Sequence, residues 1–179
     1  MTTRKKSHVI RLLEAHHVSY EAYTYATDIR SAANVAAVLG VPVDEIYKTL
    51  VVLPPHGKPL LLIIPGPSAL DLKRWARALG EKKLRMATQR QAEELTGLQV
   101  GGISALALLD RGFRVYVDRV AQTRTAFIVS AGQRGMNVRL RVADFMEVTG
   151  ARFVDASIDS GSTPGVRARS HKPRLLEHS

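Results

Sequence analysis

Cysteine is absent from the 179 residues of the chain, and its absence excludes three kinds of site. A chain without thiols has no disulfide framework, no thiolate metal site and no cysteine nucleophile. Long hydrophobic runs are absent too: none approaches the roughly 20 residues that cross a bilayer, so we expect no membrane partner. The basic start MTTRKKSHVI leads into an amphipathic pattern, unlike a signal peptide. These absences favour a cytoplasmic protein.

Acidic residues are scarce relative to basic ones. The chain has 16 Asp and Glu against 26 Lys and Arg, a formal net charge of +10 and a pI near 10.3. Such a balance indicates a polyanionic partner, because fixed cations attract phosphates and displace their counterions. Part of the charge is terminal, in Arg4, Lys5, Lys6, Arg167, Arg169, Lys172 and Arg174. Composition alone therefore favours nucleic acid only slightly over a merely basic surface.

The sequence also lacks the local signatures of several common sites. No glycine-rich phosphate fingerprint is present, which argues against dinucleotide-binding and P-loop folds. The six histidines have no metal-ligand spacing and no nucleophile elbow accompanies them, so we expect no metal and no cofactor. Trp75, flanked by Arg74 and Arg77, could stack on a base, but it falls on an apolar helical stripe and is interpreted as core.

Hydrophobic periodicity predicts helices and strands along the chain. Helices are expected at 5–16, from the N-cap Ser31 to Gly40, at Leu70–Leu79, from Thr88 to Gly97 and at Asp144–Val148. Strands are expected near Tyr20, at Ile46–Leu53 and Leu60–Ile64 as a hairpin, and at Arg114–Asp118, Ala126–Ser130 and Met136–Leu140. In the helix after Ser31, the predicted apolar stripe is Val35, Val38 and Leu39.

The order of these elements indicates one domain with a mixed fold. A chain of this length suits a single core, and its strands and helices lack a regular βαβ rhythm. We predict a mixed α/β (α+β) fold in which a central, mixed, mostly antiparallel, curved sheet is surrounded by helices. The domain is expected to span residues 1–159. Residues 160–179, rich in Gly, Ser, Pro and basic residues, are predicted to form a flexible tail.

Lys48 stands out within the predicted strand Ile46–Leu53. The two-residue period of a strand places it on the same face as Ile46, Leu50 and Val52. An ammonium group on an apolar face must reach solvent, find a partner or point into a wet pocket. The alternative is a lysine that protects an edge strand against pairing with another sheet. The residue pattern leaves both interpretations open.

Two glycine-rich segments are further candidates for contact with a ligand. The first runs from Gly97 to Ser104 and contains Gly101-Gly102, and the second runs from Ser130 to Gly135. Adjacent glycines allow close approach of the backbone to a ligand and can present N–H groups to an oxyanion. Ordinary turns have the same composition, and each segment alone is more typical of a turn.

Further segments stand in a characteristic order around these glycines. Lys48-Thr49-Leu50 opens a hydrophobic strand, and the run LKRWARALG from Leu72 is followed by Lys82-Lys83 and Met86-Ala87. Thr96-Gly97, VGGIS from Val100, Val129-Ser130 and Arg134-Gly135 complete the series. Over residues 10–153, these segments resemble the YbaK/EbsC-type family of aminoacyl-tRNA deacylases, which is related to the editing domain inserted in bacterial prolyl-tRNA synthetases.

The resemblance implies the editing-domain fold and cleavage of the ester between an amino acid and the 3′ end of tRNA. It gives catalytic roles to Lys48, which would hold a phosphate, a ribose hydroxyl or the developing oxyanion, and to the N–H groups of Gly101 and Gly102. The residues implied to contact or enclose the substrate are Tyr25, Ile46, Ile103, Ser104, Ser130 and Gly132. An aminoacyl ester is activated, so placement and charge stabilisation can replace a strong nucleophile. In relatives that clear cysteine, the substrate thiol attacks its own carbonyl.

Four positions depart from the family pattern. Ala105 stands where proline is common, Ala131 and Gln133 alter the second glycine-rich turn, and Asn137 stands where cysteine-specific relatives often have a carboxylate. These changes bear on substrate choice rather than on the fold. The first expected substrate is Cys-tRNA(Pro), followed by tRNA carrying Ala or another small amino acid. The alternative is a non-catalytic module that binds tRNA or a synthetase. Expected partners are aminoacyl-tRNA and prolyl-tRNA synthetase, with no DNA.

Overall fold

The computed structural model describes residues 6–158, which contain five α-helices and ten strands. The helices are α1 (His8–Ala15), α2 (Ala32–Leu39), α3 (Leu72–Leu79), α4 (Gln89–Thr96) and α5 (Val142–Thr149). The strands are β1 (Tyr20–Thr24), β2 (Tyr47–Leu53), β3 (Leu60–Pro65), β4 (Ala69–Leu70), β5 (Arg85–Met86), β6 (Arg114–Asp118), β7 (Ala126–Gln133), β8 (Met136–Arg141), β9 (Arg152–Val154) and β10 (Ser157–Ile158). Short 3₁₀ helices lie at Val43–Glu45, Leu106–Arg111 and Arg119–Thr123.

The described strands form three sheets. The largest has the order β5-β2-β3-β6-β9, the second the order β1-β8-β7, and β10 pairs with β4. The pairs β3–β6 and β6–β9 are parallel, and the other strand pairs are antiparallel. Two of the antiparallel pairs, β2–β3 and β7–β8, are hairpins whose strands are joined by a short connection. A parallel bridge between Ile46 and Ile128 links the two larger sheets. The prediction of a mixed, mostly antiparallel fold is confirmed, with the described strands divided among three sheets.

The core lies on both faces of the five-stranded sheet. Every residue of β3 is buried, because its uninterrupted run LLLIIP occupies the middle of that sheet. One face packs against Trp75 of α3, and the other contacts the aromatic rings of Phe127 and Phe145. Tyr47 on β2 meets Phe127 edge to face, with ring centroids 5.0 Å apart. These contacts fix β2, on which the candidate lysine lies.

Local capping sets the ends of the helices close to where the sequence predicts them. The side chains of Ser31 and Thr88 accept hydrogen bonds from the backbone N–H groups three residues later, as N-caps do. Gly40 and Gly97 end α2 and α4 in the left-handed conformation, with φ of +67° and +71°. The predicted caps and stops of these two helices are confirmed.

Several details differ from the prediction. In the predicted stripe of α2, Val35 is buried and Leu39 packs against the same cluster, but Val38 is 55% exposed and Ala36 is buried in its place. The third helix begins after Leu70, because that residue pairs with Ser157 in a short ladder. Strands β4, β5, β9 and β10 were not predicted, since two or three residues are too few to display a period.

The proposed tail at residues 160–179 lies outside the described residues, as do Arg4 and Lys5. Within residues 6–158, no helix combines the length and the apolar character needed to cross a bilayer.

Candidate active site

A cavity of about 560 Å³ opens beside the first half of β2. Its wall combines residues from β2, the start of α2, the β5–α4 connection, the first glycine-rich segment, β7 and β8. Of the residues singled out in the sequence, the wall contains Tyr25, Ile46, Lys48, Gly101, Ile103 and Ser130. Segments far apart in the sequence therefore meet at one concave surface.

The cavity exists because one edge of β2 is only partly paired. Strand β3 pairs with β2 from Tyr47 to Val52, whereas β5 pairs only with Val52 and Leu53. The last contact on the β5 side is the Ala87 N–H donating to the Val51 carbonyl oxygen at 3.0 Å. Hydrogen-bonding directions alternate along an antiparallel strand, so the main-chain N–H and C=O of Thr49 also point toward the cavity.

Lys48 lies opposite Ile64 in the β2–β3 ladder and is half-buried. Its Nζ donates a hydrogen bond to the carbonyl oxygen of Ser68 at 2.8 Å. Burial lowers the pKa of Lys48 from its ordinary value of 10.5, because the charged form loses hydration. An ammonium group has three donors, so further donors remain for a ligand. The placement favours the pocket interpretation over the protected edge.

The apolar neighbours of Lys48 differ from those expected. Leu50 and Val52 pack with Trp75 on one face of the sheet. Ile46 precedes β2 and packs instead with Val35 and Ile128 in a separate cluster. The predicted common face therefore extends from Lys48 to Val52 and excludes Ile46, because the chain enters the strand from a 3₁₀ turn that ends there.

The first glycine-rich segment is held against the cavity by two charged side chains. Arg134 Nε donates to the Val100 carbonyl oxygen at 2.8 Å, and the Val100 N–H donates to Glu93 Oε1 at 3.0 Å. Gly101 has φ of +94°, a conformation that favours glycine. Within residues 6–158, the Gly101 N–H has no acceptor, so it is free to bind a ligand oxygen.

Gly102 does not line the cavity, although the sequence suggested a donor there. Its N–H donates to the Gln99 carbonyl oxygen at 2.8 Å, which leaves no donor for an oxyanion. A Cβ at this position would lie 2.8 Å from Arg134 N and 2.8 Å from Gln133 C. Gly102 therefore permits close packing of the two glycine-rich turns and has a structural role.

Ser104 and Gly132 are also absent from the cavity wall. Ser104 is 2% exposed, and its hydroxyl has no hydrogen-bond partner within the described chain. Gly132 has φ of +93°, and a Cβ there would approach Ala107 Cβ to 3.1 Å. In the structure, both residues pack within the protein and do not line the cavity, unlike the predicted substrate contacts.

Asn137, which the sequence marked as a departure from the family pattern that bears on substrate choice, lies in the cavity wall. It lies opposite Ser130 in the β7–β8 ladder, and its Oδ1 accepts a hydrogen bond from the Tyr25 hydroxyl at 2.9 Å. Burial raises the pKa of Tyr25, so this hydroxyl stays protonated and acts as a donor. The departure of Asn137 from the family pattern was the signal available in the sequence.

The walls carry cationic and neutral groups but no carboxylate. Arg30 and Lys48 are the cations of the wall, and the exposed apolar side chains of Met86 and Val100 lie at its opening. Arg30, Met86 and Val100 were not predicted as site residues; Met86 and Val100 belong to segments of the family pattern, but their apolar side chains carry no chemistry that indicates a site. Within the described residues, no cluster of three His, Asp or Glu could hold a metal ion. Such a wall suits an oxyanion or a phosphate.

A larger cavity of about 800 Å³ lies beyond Tyr47, but most of its charged side chains already have partners. Arg119 contacts Asp155 at 3.3 Å, and Arg124 forms a salt bridge with Asp44. Asp118 accepts hydrogen bonds from three main-chain N–H groups. These ion pairs leave few charged groups free for a ligand, so the smaller cavity is the candidate site.

The chain is similar to several known proteins. EbsC of Enterococcus faecalis, which carries the name of a Cys-tRNA(Pro)/Cys-tRNA(Cys) deacylase, is 37% identical over 86% of this chain and 94% of its own length. A proline–tRNA ligase from Pelobacter propionicus is 27% identical over 83% of this chain, and the match covers 26% of the length of the ligase. A crystal structure described as a trans-editing enzyme for prolyl-tRNA synthetase superposes with a TM-score of 0.70 at 25% identity, covering 86% of this chain and 99% of the other. The sequence model of the aminoacyl-tRNA editing domain matches residues 26–148, and the chain belongs to that family.

Proposed function

We propose that the protein is a trans-acting aminoacyl-tRNA deacylase that clears misacylated tRNA. The observation that carries the proposal is the meeting of Lys48 and Gly101 at one cavity whose wall has no carboxylate. One contributes an ammonium group and the other a free main-chain N–H. Two donors at a half-buried site can stabilise the negative charge that develops on the carbonyl oxygen during ester cleavage.

The remaining wall residues position the ester. Asn137 and Tyr25 form a hydrogen-bonded pair beside Ser130, and Ile46 and Ile103 supply apolar surface. Holding an activated ester in the correct orientation provides much of the rate without a protein nucleophile. The attacking group is then water or a group of the substrate itself. The chain has no cysteine that could take this role.

The substrate that we propose first is Cys-tRNA(Pro), in line with the name of EbsC. The thiol sulfur of the esterified cysteine attacks its own carbonyl carbon, the ester C–O bond breaks, and the tRNA 3′ oxygen leaves with a proton. With Ala or another small amino acid, water attacks instead and the free amino acid is released. The neutral Asn137 leaves both choices open.

The same proposal assigns residues 1–159 to the editing domain and places the protein in the cytoplasm, where tRNA is charged. Residues 160–179 would add phosphate contacts through Arg167, Arg169, Lys172 and Arg174. Prolyl-tRNA synthetase is the proposed partner, because the matched family domain also occurs within proline–tRNA ligases.

The proposal is tested with tRNA(Pro) carrying Cys, Ala or Pro, and with Cys-tRNA(Cys). We expect release of Cys or Ala from tRNA(Pro) well above the uncatalysed rate, and no release of Pro. Release of none of them, with tRNA binding retained, would establish the non-catalytic binding module instead.

A further inference from the structure

The connection between α3 and α4 carries a dense group of cations beside the cavity. Six exposed basic residues lie on the outer face of α3 and in the segment after it: Lys73, Arg74, Arg77, Lys82, Lys83 and Arg85. Between Asp71 and Arg85 the only carboxylates are Asp71, which caps α3, and Glu81. None of the six forms a salt bridge within residues 6–158.

The last three of these cations, Lys82, Lys83 and Arg85, directly precede residues of the cavity wall along the chain. Leu84, 4% exposed, anchors the segment in the core between Lys83 and Arg85. Arg85 pairs with Leu53 in the sheet, and its guanidinium donates to Gln91 Oε1 at 3.1 Å. The chain then continues directly through two residues of the cavity wall, Met86 and Ala87.

An exposed apolar lip separates these cations from the cavity. Met86 is 40% exposed and Val100 is 37% exposed, and both belong to the cavity wall. Exposed apolar side chains beside unpaired cations suit a ligand that alternates flat apolar rings with anionic groups. A nucleic acid strand has this chemistry, because its bases present apolar faces and its backbone carries one phosphate per nucleotide.

We propose that Lys82, Lys83 and Arg85, together with the lip of Met86 and Val100, form the docking track for the 3′-terminal strand of the RNA substrate. The terminal nucleoside packs on the lip while its ester enters the cavity toward Lys48. The preceding phosphates lie on the three cations. This inference rests on the proposed function and adds to it the path by which the RNA reaches the site.

The position of the track explains how a protein with few exposed aromatic residues can hold RNA. Phosphate contacts fix the register and orientation of a strand but do not read its sequence. The track therefore serves any tRNA end, and the identity of the tRNA must come from another source.

Arg114 and Arg152 lie on β6 and β9, toward the opposite edge of the five-stranded sheet, and are also exposed. They provide a matched control.

The test compares the full-length variants Lys82→Gln/Lys83→Gln and Arg114→Gln/Arg152→Gln, which lose the same charge. Binding of uncharged tRNA is measured across a salt series. We expect the first variant to bind about 10-fold more weakly at low salt and to lose about 1.5 from the slope of log K against log salt. The control variant keeps the wild-type slope. Equal losses in both variants would overturn the track, because net charge alone would then account for binding.

A second arm separates the track from the chemistry. Cleavage of aminoacyl-tRNA is compared with cleavage of the corresponding 3′-aminoacyl-adenosine, which lacks the preceding phosphates. The Lys82→Gln/Lys83→Gln variant is expected to raise KM for the tRNA substrate and to cleave the short substrate at the wild-type rate. Loss of both activities to the same extent would contradict the track. If the wild type cleaves neither substrate, the proposed function fails, while the binding series still decides whether the track exists.

Discussion

The Nζ of Lys48 lies 2.8 Å from the carbonyl oxygen of Ser68, across the end of the β2–β3 ladder. This contact holds an ammonium group at the margin of an apolar sheet face, where burial has removed part of its hydration. The hydrogen bond offsets some of that cost and aligns the side chain with the cavity wall. Lys48 is thus oriented before any substrate arrives, which is the condition for effective charge stabilisation.

The first prediction is that Lys48→Ala removes deacylation while the protein stays folded. The variant loses the ammonium group that donates a hydrogen bond to the oxyanion formed during ester cleavage. Turnover should therefore fall by at least about 100-fold, as it does when other oxyanion donors are removed. Its melting temperature should change little, since the lost hydrogen bond is offset by relief of a desolvated charge. The control is Lys73→Ala, an exposed lysine that does not line the cavity. A folded Lys48→Ala protein with wild-type turnover would exclude Lys48 from the mechanism.

The second prediction concerns the pH dependence of stability. Because the pKa of Lys48 is lower in the folded state than its ordinary value of 10.5, folding disfavours the protonated form. The resulting destabilisation is fully present below the folded-state pKa and disappears as the pH rises toward 10.5. The apolar variant Lys48→Met should therefore gain most over the wild type near pH 7 and lose this advantage at high pH. Urea unfolding of both proteins from pH 7 to 10.5 measures the difference, and a difference that stays constant would contradict the burial effect.

The third prediction separates the two adjacent glycines. At Gly102 an added Cβ would meet backbone atoms at 2.8 Å, so Gly102→Ala should destabilise the fold by about 2–4 kcal/mol. At Gly101 the nearest atoms are the side-chain Cγ and Nε of Arg134, at 3.6 and 3.7 Å. Gly101→Ala should therefore fold with a strain of about 1–3 kcal/mol at φ of +94° and lose much of its activity. Thermal unfolding and turnover of both variants test this, and a folded Gly101→Ala protein with wild-type turnover would refute the separation.

The sequence could place β2 and its lysine because a regular apolar strand has a two-residue period that a single charge interrupts. It could not distinguish Gly101 from Gly102, since the two differ only in where the fold directs each N–H. Ser104 has the chemistry of a binding residue, yet the chain turns its hydroxyl into the interior. The wall residues Met86 and Val100 become visible only when β5 and the glycine-rich segment meet in three dimensions.

The fourth prediction treats Arg134 as a positioning residue. Its Nε holds the Val100 carbonyl, and its side chain packs on Gly101, so it supports the segment that carries the free N–H. Arg134→Gln should leave the fold intact and lower kcat more than it raises KM, because the donor moves while the cavity keeps its walls. Arg134→Lys should recover part of kcat by restoring the contact with Glu93. An unchanged kcat in Arg134→Gln would show that the segment holds its position without this side chain.

The fifth prediction assigns substrate charge preference to Asn137. This residue is 5% exposed, and its Oδ1 accepts from the Tyr25 hydroxyl, a hydrogen bond that an aspartate can also accept. Asn137→Asp therefore places a carboxylate in a wall that now carries only the cations Arg30 and Lys48. Burying this charge lowers the stability of the fold, which thermal unfolding would detect.

The new carboxylate attracts the α-ammonium group of an aminoacyl ester, so KM for aminoacyl-tRNA should fall by about 10-fold at neutral pH. N-acetylated aminoacyl-tRNA carries no positive charge at that position and should show no such gain. Asn137→Ser, which is polar but neutral, serves as the control and should leave the ratio of the two KM values near that of the wild type. If Asn137→Asp changes both KM values equally, the α-amino group lies away from this wall, and the neutral side chain at position 137 has no part in choosing the substrate.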